Sequence, residues 1–167
     1  MNDRIIGIAG WKNSGKTTLT ERLVAELVGR GWRVSTIKHA HHDADIDQEE
    51  TDSFRHRQAG ASEVLLATGR RWALMHELRG EKEPSLVELV ARLSPCDLVI
   101  VEGFKAGAHP KIETRRLETK DRTPLPPAAN VVAIAADHPV AGSALPVFAL
   151  DDVAGIASFT EKAMGLR

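Results

Sequence analysis

One cysteine, Cys96, stands in the whole chain of 167 residues. That scarcity excludes an internal disulfide and a zinc cage built from thiolates. Long apolar runs are also missing, since none approaches the roughly 20 residues that cross a bilayer. Charge of one sign is lacking too: Lys and Arg number 22 against 23 Asp and Glu, a formal net charge of −1. This balance argues against a broad basic footprint, so neither nucleic acid nor membrane is an expected partner. No internal repeat and no low-complexity linker interrupts the chain. Residues 1–4 are polar and run straight into a strand-like stretch, which predicts no signal peptide and a cytoplasmic location. What is present is 43% hydrophobic and 27% charged residues over the length of one ordinary domain. The expectation is a single domain spanning residues 1–167, with a sizeable core.

Residues 4–9 form a short, almost wholly apolar run, the mark of a strand buried on both faces. After a glycine-bearing loop, Leu19, Leu23 and Leu27, with Val24 and Val28 beside them, give the stripe of an amphipathic helix over residues 18–28. Gly29 and Gly31 bracket its end and suit a left-handed cap. Further strands are expected at 33–38, 63–68, 72–77, 97–102, 111–116, 131–136 and 147–150. Helices are expected at 52–59, at 85–93, where Ser85 and Glu88 have capping-box spacing, and from about Asp151 to Met164. The proline-rich stretch 122–127 cannot be a central strand. Strands alternating with helices predict an α/β, three-layer domain with a mainly parallel central sheet. Ligands are then expected at the carboxyl ends of the strands.

One eight-residue stretch carries the chemistry. Gly10-Trp11-Lys12-Asn13-Ser14-Gly15-Lys16-Thr17 matches G-x-x-x-x-G-K-[ST] in full, with a strand before it and a helix after. Glycines let the backbone turn so that successive N–H groups point at oxyanions, and the helix N-terminus adds its dipole. Lys16, the candidate catalytic residue, is expected to reach the β- and γ-phosphates. The Thr17 hydroxyl is expected to bind Mg²⁺, and Thr18 closes the nucleotide-binding stretch. A P-loop site also needs a carboxylate at the end of a neighbouring strand. Glu102, followed by Gly103, ends the apolar run Leu98 to Val101 and is chosen over Asp97, which sits at the opposite end.

Four blocks in this order resemble the MobB family, the molybdopterin-guanine dinucleotide biosynthesis adapter proteins. They are the loop from Gly10 to Leu19, Ile37-Lys38-His39-Ala40-His41-His42-Asp43, the stretch Asp52 to Ala61, and Val101-Glu102-Gly103-Phe104-Lys105. The resemblance covers residues 5–116, and 131–137 look similar as well. It implies a GTP-binding protein with Mg²⁺, at most a weak GTPase, and a homodimer. It further implies an adapter that assists the guanylyltransferase MobA in attaching GMP to molybdopterin. Such an adapter delivers GTP, holds molybdopterin, or bridges to the acceptor enzyme.

Other constellations leave their readings open. His39, His41, His42, Asp43, Asp45 and Asp47 crowd one loop and read as metal ligands, as a switch-like segment near Mg²⁺, or as a solvated loop. Lys38 and His39 at the strand's carboxyl end, Asp52, Ser53, Arg55 and Arg57 at near-helical spacing, and Lys105 form a candidate molybdopterin or second anion site. A salt-bridged helix surface is the plain alternative for the Asp52 to Arg57 cluster. Lys105 and Lys111 flank a glycine-containing loop that either meets phosphate or a partner, or is solvated. Asp137 follows a strand at the ligand-binding edge and is placed to accept from guanine N1–H and its amine, although no Asn-Lys-x-Asp motif is present. Trp11 is expected to fill local apolar space, and Trp72 and Met75 to lie in the core. Two other functions remain in view. A P-loop small-molecule kinase would draw lid arginines from Arg70, Arg71 and Arg79, and a GTP-dependent metallochaperone would use the His-rich loop.

Overall fold

Six short strands of this chain lie side by side in one parallel sheet, and their order follows from where the helices cross over. The computed structural model describes residues 3–40 and 47–167. In chain order the elements are β1 (Ile5–Ala9), α1 (Lys16–Gly29), β2 (Val34–Lys38), α2 (Asp52–Gln58), β3 (Glu63–Ala67), β4 (Trp72–His76), α3 (Leu86–Ala91), β5 (Leu98–Glu102), β6 (Lys111–Arg115), β7 (Val131–Ala136), β8 (Val147–Ala149) and α4 (Val153–Met164). The chain divides into two compact units, residues 1–39 with 86–167, and residues 40–85. No helix among the described residues is long and apolar enough to cross a membrane.

In the first unit the strand order is β2-β5-β1-β6-β7-β8. Every pairing in it is parallel. The chain moves to one side of β1 through β2 and β5 and to the other through β6 to β8. This reversal makes β1 the switch point, and the crevice for a ligand opens beyond its carboxyl end. Side chains alternate across the sheet. Ile6, Ile8, Leu98, Ile100, Ile112, Ala133 and Ala135 share one core with α1 and α4, through Leu19, Leu23, Leu27 and Ile156. On the other face Val99 and Val101 pack with Val90 of α3, and Ala9 packs with Leu125 and Ala129. The result is three layers, helix on sheet on helix and loop. Glu102 lies two residues beyond Ile100, so it falls on the α1 side, level with the start of that helix.

Strand β6 departs from the apolar rule on its far face, where Lys111, Glu113 and Arg115 alternate. Lys111 is 0% exposed. Its Nζ donates to the carbonyls of Gly107, His109 and Ala129. Glu113 accepts from Leu125 N–H at 2.9 Å and pairs with Arg115 at 2.7 Å. These buried charges are matched by hydrogen bonds, as burial requires, and they pin the covering loop to the sheet. Lys111 therefore belongs to the scaffold and does not face a phosphate or a partner. Gly7 is required beside it: a Cβ there would stand 2.7 Å from both His109 Nε2 and Lys111 Cγ. Burial, and then the charge of Lys111, push the His109 imidazole down to about 4.

The second unit is a two-stranded antiparallel sheet, β3 with β4, and the short helix α2. Val64 and Met75 pair across the strands on the buried face. Leu65 pairs with Leu74 and Ala67 with Trp72 on the other. Trp72, expected in the core, is 66% exposed. A two-stranded sheet covered on one side leaves its other face bare, and Trp72 falls on the bare one. Arg79 donates to the carbonyls of Arg57 and Ala61 and so braces this unit.

Candidate functional site

The loop between β1 and α1 turns where only glycine turns easily. Gly10 has φ +154° and Gly15 has φ +95°. A Cβ on Gly10 would lie 2.5 Å from Ser14 Oγ and 2.7 Å from the Thr114 carbonyl oxygen. Asn13 adopts a left-handed φ of 65°. Ser14 and Thr114 share a hydrogen bond of 2.7 Å, which ties the loop to β6.

Helix α1 then begins with its N-terminus open. No side chain caps it and its first turn holds no acid. Two other helices are treated differently: Thr51 accepts from Phe54 N–H to cap α2, and Asp152 accepts from Gly155 N–H to cap α4. An uncapped helix start with free N–H groups and the positive dipole end is a seat for an anion.

Cations converge on the same place. Lys16 Nζ donates to the Trp11 carbonyl at 2.7 Å. Lys105 Nζ sits 4.0 Å above the Trp11 ring, whose Nε1 donates to Thr123 O at 2.6 Å. Lys38 Nζ is 3.6 Å from Glu102 Oε1. Burial lowers the Lys16 ammonium below its ordinary lysine value. Lys105 and Lys38 lower it further, and Glu102 pulls the other way. Three ammonium groups around one carboxylate leave the mouth with an excess of positive charge.

Glu102, at the end of β5, is 8% exposed. Thr17 Oγ1 donates to its Oε1 at 2.9 Å. A hydroxyl and a carboxylate oxygen at this separation are hard donors that fit Mg²⁺ completed by phosphate oxygens and water. Asp97, at the other end of the strand, is instead paired with Arg33. Gly103, at φ +102°, lets the chain turn away beside His39, which stacks on Phe104 with centroids 4.3 Å apart.

Next to Gly15 lies a cleft of about 640 Å³, lined among others by Thr18, Arg22, Arg116, Asp137, Leu150 and Asp151. Asp137 Oδ1 accepts from His138 Nδ1 at 2.8 Å and from Leu117 N–H at 3.0 Å. The His138 bond in particular holds the Asp137 carboxyl below its ordinary value.

The expected site residues thus divide. Lys38, His39 and Lys105 join the phosphate loop and Glu102 in the first unit, while Asp52, Ser53, Arg55 and Arg57 lie on α2 in the second. There the side-chain groups are used internally. Ser53 Oγ donates to Asp47 Oδ1 at 3.0 Å, and Arg57 pairs with Glu77 at 2.6 Å and Asp47 at 3.5 Å. Arg55 stays exposed, 3.9 Å from Asp52. Of the His- and Asp-rich loop, His41, His42, Asp43 and Asp45 lie outside the described residues. Arg116, which sets one wall of the cleft, was placed by sequence only at the end of a strand.

The family model described as "Molybdopterin guanine dinucleotide synthesis protein B" matches residues 5–137. The chain belongs to the MobB family. It is 45% identical over 145 residues to a Haemophilus influenzae relative named molybdopterin-guanine dinucleotide biosynthesis adapter protein, covering 84% of this chain and 79% of the relative. An Escherichia coli relative of the same name is 39% identical over 158 residues, 93% of this chain and 90% of its own. Among solved structures, the MobB protein homolog from Bacillus stearothermophilus superposes with a TM-score of 0.72 at 31% identity, over 100% of both chains. The matched MobB segment contains the phosphate loop, Lys38, Glu102, Arg116 and Asp137, while the cleft wall at His138, Leu150 and Asp151 lies beyond it.

Proposed function

We propose that this chain binds GTP with Mg²⁺ and serves as the adapter that assists the guanylyltransferase MobA in attaching GMP to molybdopterin in the cytoplasm. One observation carries the nucleotide half: the open α1 N-terminus stands beside Lys16 and the Thr17–Glu102 pair. The adapter half rests on family membership and on the names that its relatives carry. Backbone N–H groups of residues 13–18 cradle the phosphates, and Lys16 leaves the Trp11 carbonyl for the β- and γ-oxygens. Thr17 and Glu102 would hold Mg²⁺, which supplies charge neutralisation at those oxygens. Lys38 and Lys105 face the phosphate end of the nucleotide. Asp137 accepts from guanine in the adjoining cleft. Hydrolysis is at most slow, because Glu102 would be committed to Mg²⁺ and no motif places a water-orienting residue or an arginine finger. Adding the chain to a reaction of the guanylyltransferase, GTP and molybdopterin is expected to raise dinucleotide yield, and the Lys16→Ala variant to add nothing. Equal yield with and without the chain would remove the adapter role.

The chain also acts as a homodimer in this reading. Leu65, Leu74 and Trp72 form an apolar face on a sheet of only two strands, and such sheets need cover for independent stability. A second copy supplies it. Light scattering is expected to give twice the chain mass, and Leu65→Glu with Trp72→Glu to give the single mass. A monomeric wild type contradicts the dimer.

A further inference from the structure

Arg116 is the unused cation of the cleft. Its side chain is half-buried, between the exposed Leu117 and the strand end at Arg115. A Cβ on Gly15 would stand 2.9 Å from its Nε and 3.2 Å from its Cζ, and 3.1 Å from Leu150 Cδ2. The guanidinium is thus laid against the phosphate loop just before Lys16, on the side where the cleft opens toward Thr18, Asp137 and Asp151. Among the described residues nothing accepts a hydrogen bond from it and no carboxylate pairs with it, whereas its neighbour Arg115 is paired with Glu113. Burying part of a guanidinium without a partner is costly, and a site that does so holds the fork ready for a ligand.

The cleft offers this fork of parallel donors together with carboxylate acceptors. Asp137 uses Oδ1 for Leu117 and His138, and its Oδ2 accepts nothing among the described residues. Guanine is the purine that matches both: O6 and N7 accept side by side on one edge, and N1–H and the amine donate on the other. Adenine presents an amino donor where guanine has O6, which opposes an arginine. We propose that Arg116 reads guanine by donating two parallel hydrogen bonds to O6 and N7, and so determines base specificity in a chain that has no Asn-Lys-x-Asp motif. This inference rests on the GTP reading above. It assigns the base contact to a residue that the β1–β6 pairing brings to the phosphate loop from a distant part of the chain.

The test is a set of calorimetric titrations with GTP, 7-deaza-GTP, ATP and inorganic triphosphate on the full chain, with Arg116→Gln and Arg116→Lys. Wild type is expected to bind 7-deaza-GTP about tenfold more weakly than GTP, because one of the two acceptors is gone. Arg116→Gln is expected to bind GTP about 10–100-fold more weakly, with 7-deaza-GTP now equal to GTP and with ATP and inorganic triphosphate unchanged. Arg116→Lys keeps the charge but not the fork, and is expected to lose most of the preference for GTP over ATP, leaving the part that Asp137 supplies. Two results overturn the proposal: a GTP preference in Arg116→Gln as large as that of wild type, or an equal loss for GTP, ATP and inorganic triphosphate, which would make Arg116 a phosphate contact. Wild type that binds neither inorganic triphosphate nor any nucleotide would instead overturn the phosphate-loop reading, and this inference with it.

Discussion

Replacing Lys111 with methionine is expected to lower the stability of the chain by about 3–9 kcal/mol, the cost of leaving three buried carbonyls without a donor at roughly 1–3 kcal/mol each. Methionine keeps most of the volume of lysine, so packing changes little and the loss is mainly electrostatic. The ammonium is fully buried and bonds to carbonyls on both sides of β6: Gly107 and His109 before it and Ala129 after it. It therefore holds the loop that carries Lys105 and the segment that covers the far face of the sheet. Domains of this size have about 5–15 kcal/mol in total, so the variant should fold marginally. Urea unfolding followed by circular dichroism reads the change as a lower midpoint with an unaltered slope. A loss under about 1 kcal/mol would mean that water replaces the ammonium among the carbonyls.

Substituting Gly10 by alanine is expected to weaken GTP binding at least about 100-fold, or 2.7 kcal/mol, while the sheet persists. Gly10 combines a φ of +154° with a space that a methyl cannot enter. The Ser14 hydroxyl lies 2.5 Å from the added carbon and the Thr114 carbonyl oxygen 2.7 Å. The hydroxyl can rotate, but the carbonyl belongs to the backbone of β6, so the loop must yield. Once it shifts, the N–H groups no longer converge and the Ser14–Thr114 tie is broken. Calorimetry on the folded variant checks this, and an affinity within threefold of wild type would show that the loop re-forms around the methyl.

The turn between β1 and α1 was legible because its information is local: eight contiguous residues, a strand before them and a helix after. The parallel sheet was legible for a similar reason, since strands buried on both faces read as apolar runs, as at Leu98 to Val101. Glu102 could be chosen over Asp97 from chain direction alone, and the structure sets it against Thr17. The rest needed tertiary information. Lys111, Glu113 and Arg115 alternate like a solvated strand, yet they are covered, because the proline-rich segment that follows supplies N–H and carbonyl groups its sequence does not advertise. Trp72 looked like core because bulky aromatics usually are, but its hairpin has just one covered face. Arg57 and Ser53 looked available to an anion because sequence cannot show that Asp47 and Glu77 fold back onto them. Arg116 meets Gly15 only through the pairing of β1 with β6, and no short-range pattern records that contact.

The central claim is a phosphate loop that selects GTP with Mg²⁺, and a calorimetric titration with GTP and ATP, each with and without Mg²⁺, on wild type and Lys16→Ala tests it most directly. The account predicts Mg²⁺-dependent binding with GTP favoured by tenfold or more, about 1.4 kcal/mol, and no measurable binding in the variant. Equal or tighter binding of ATP, or binding that survives the loss of Lys16, would contradict it.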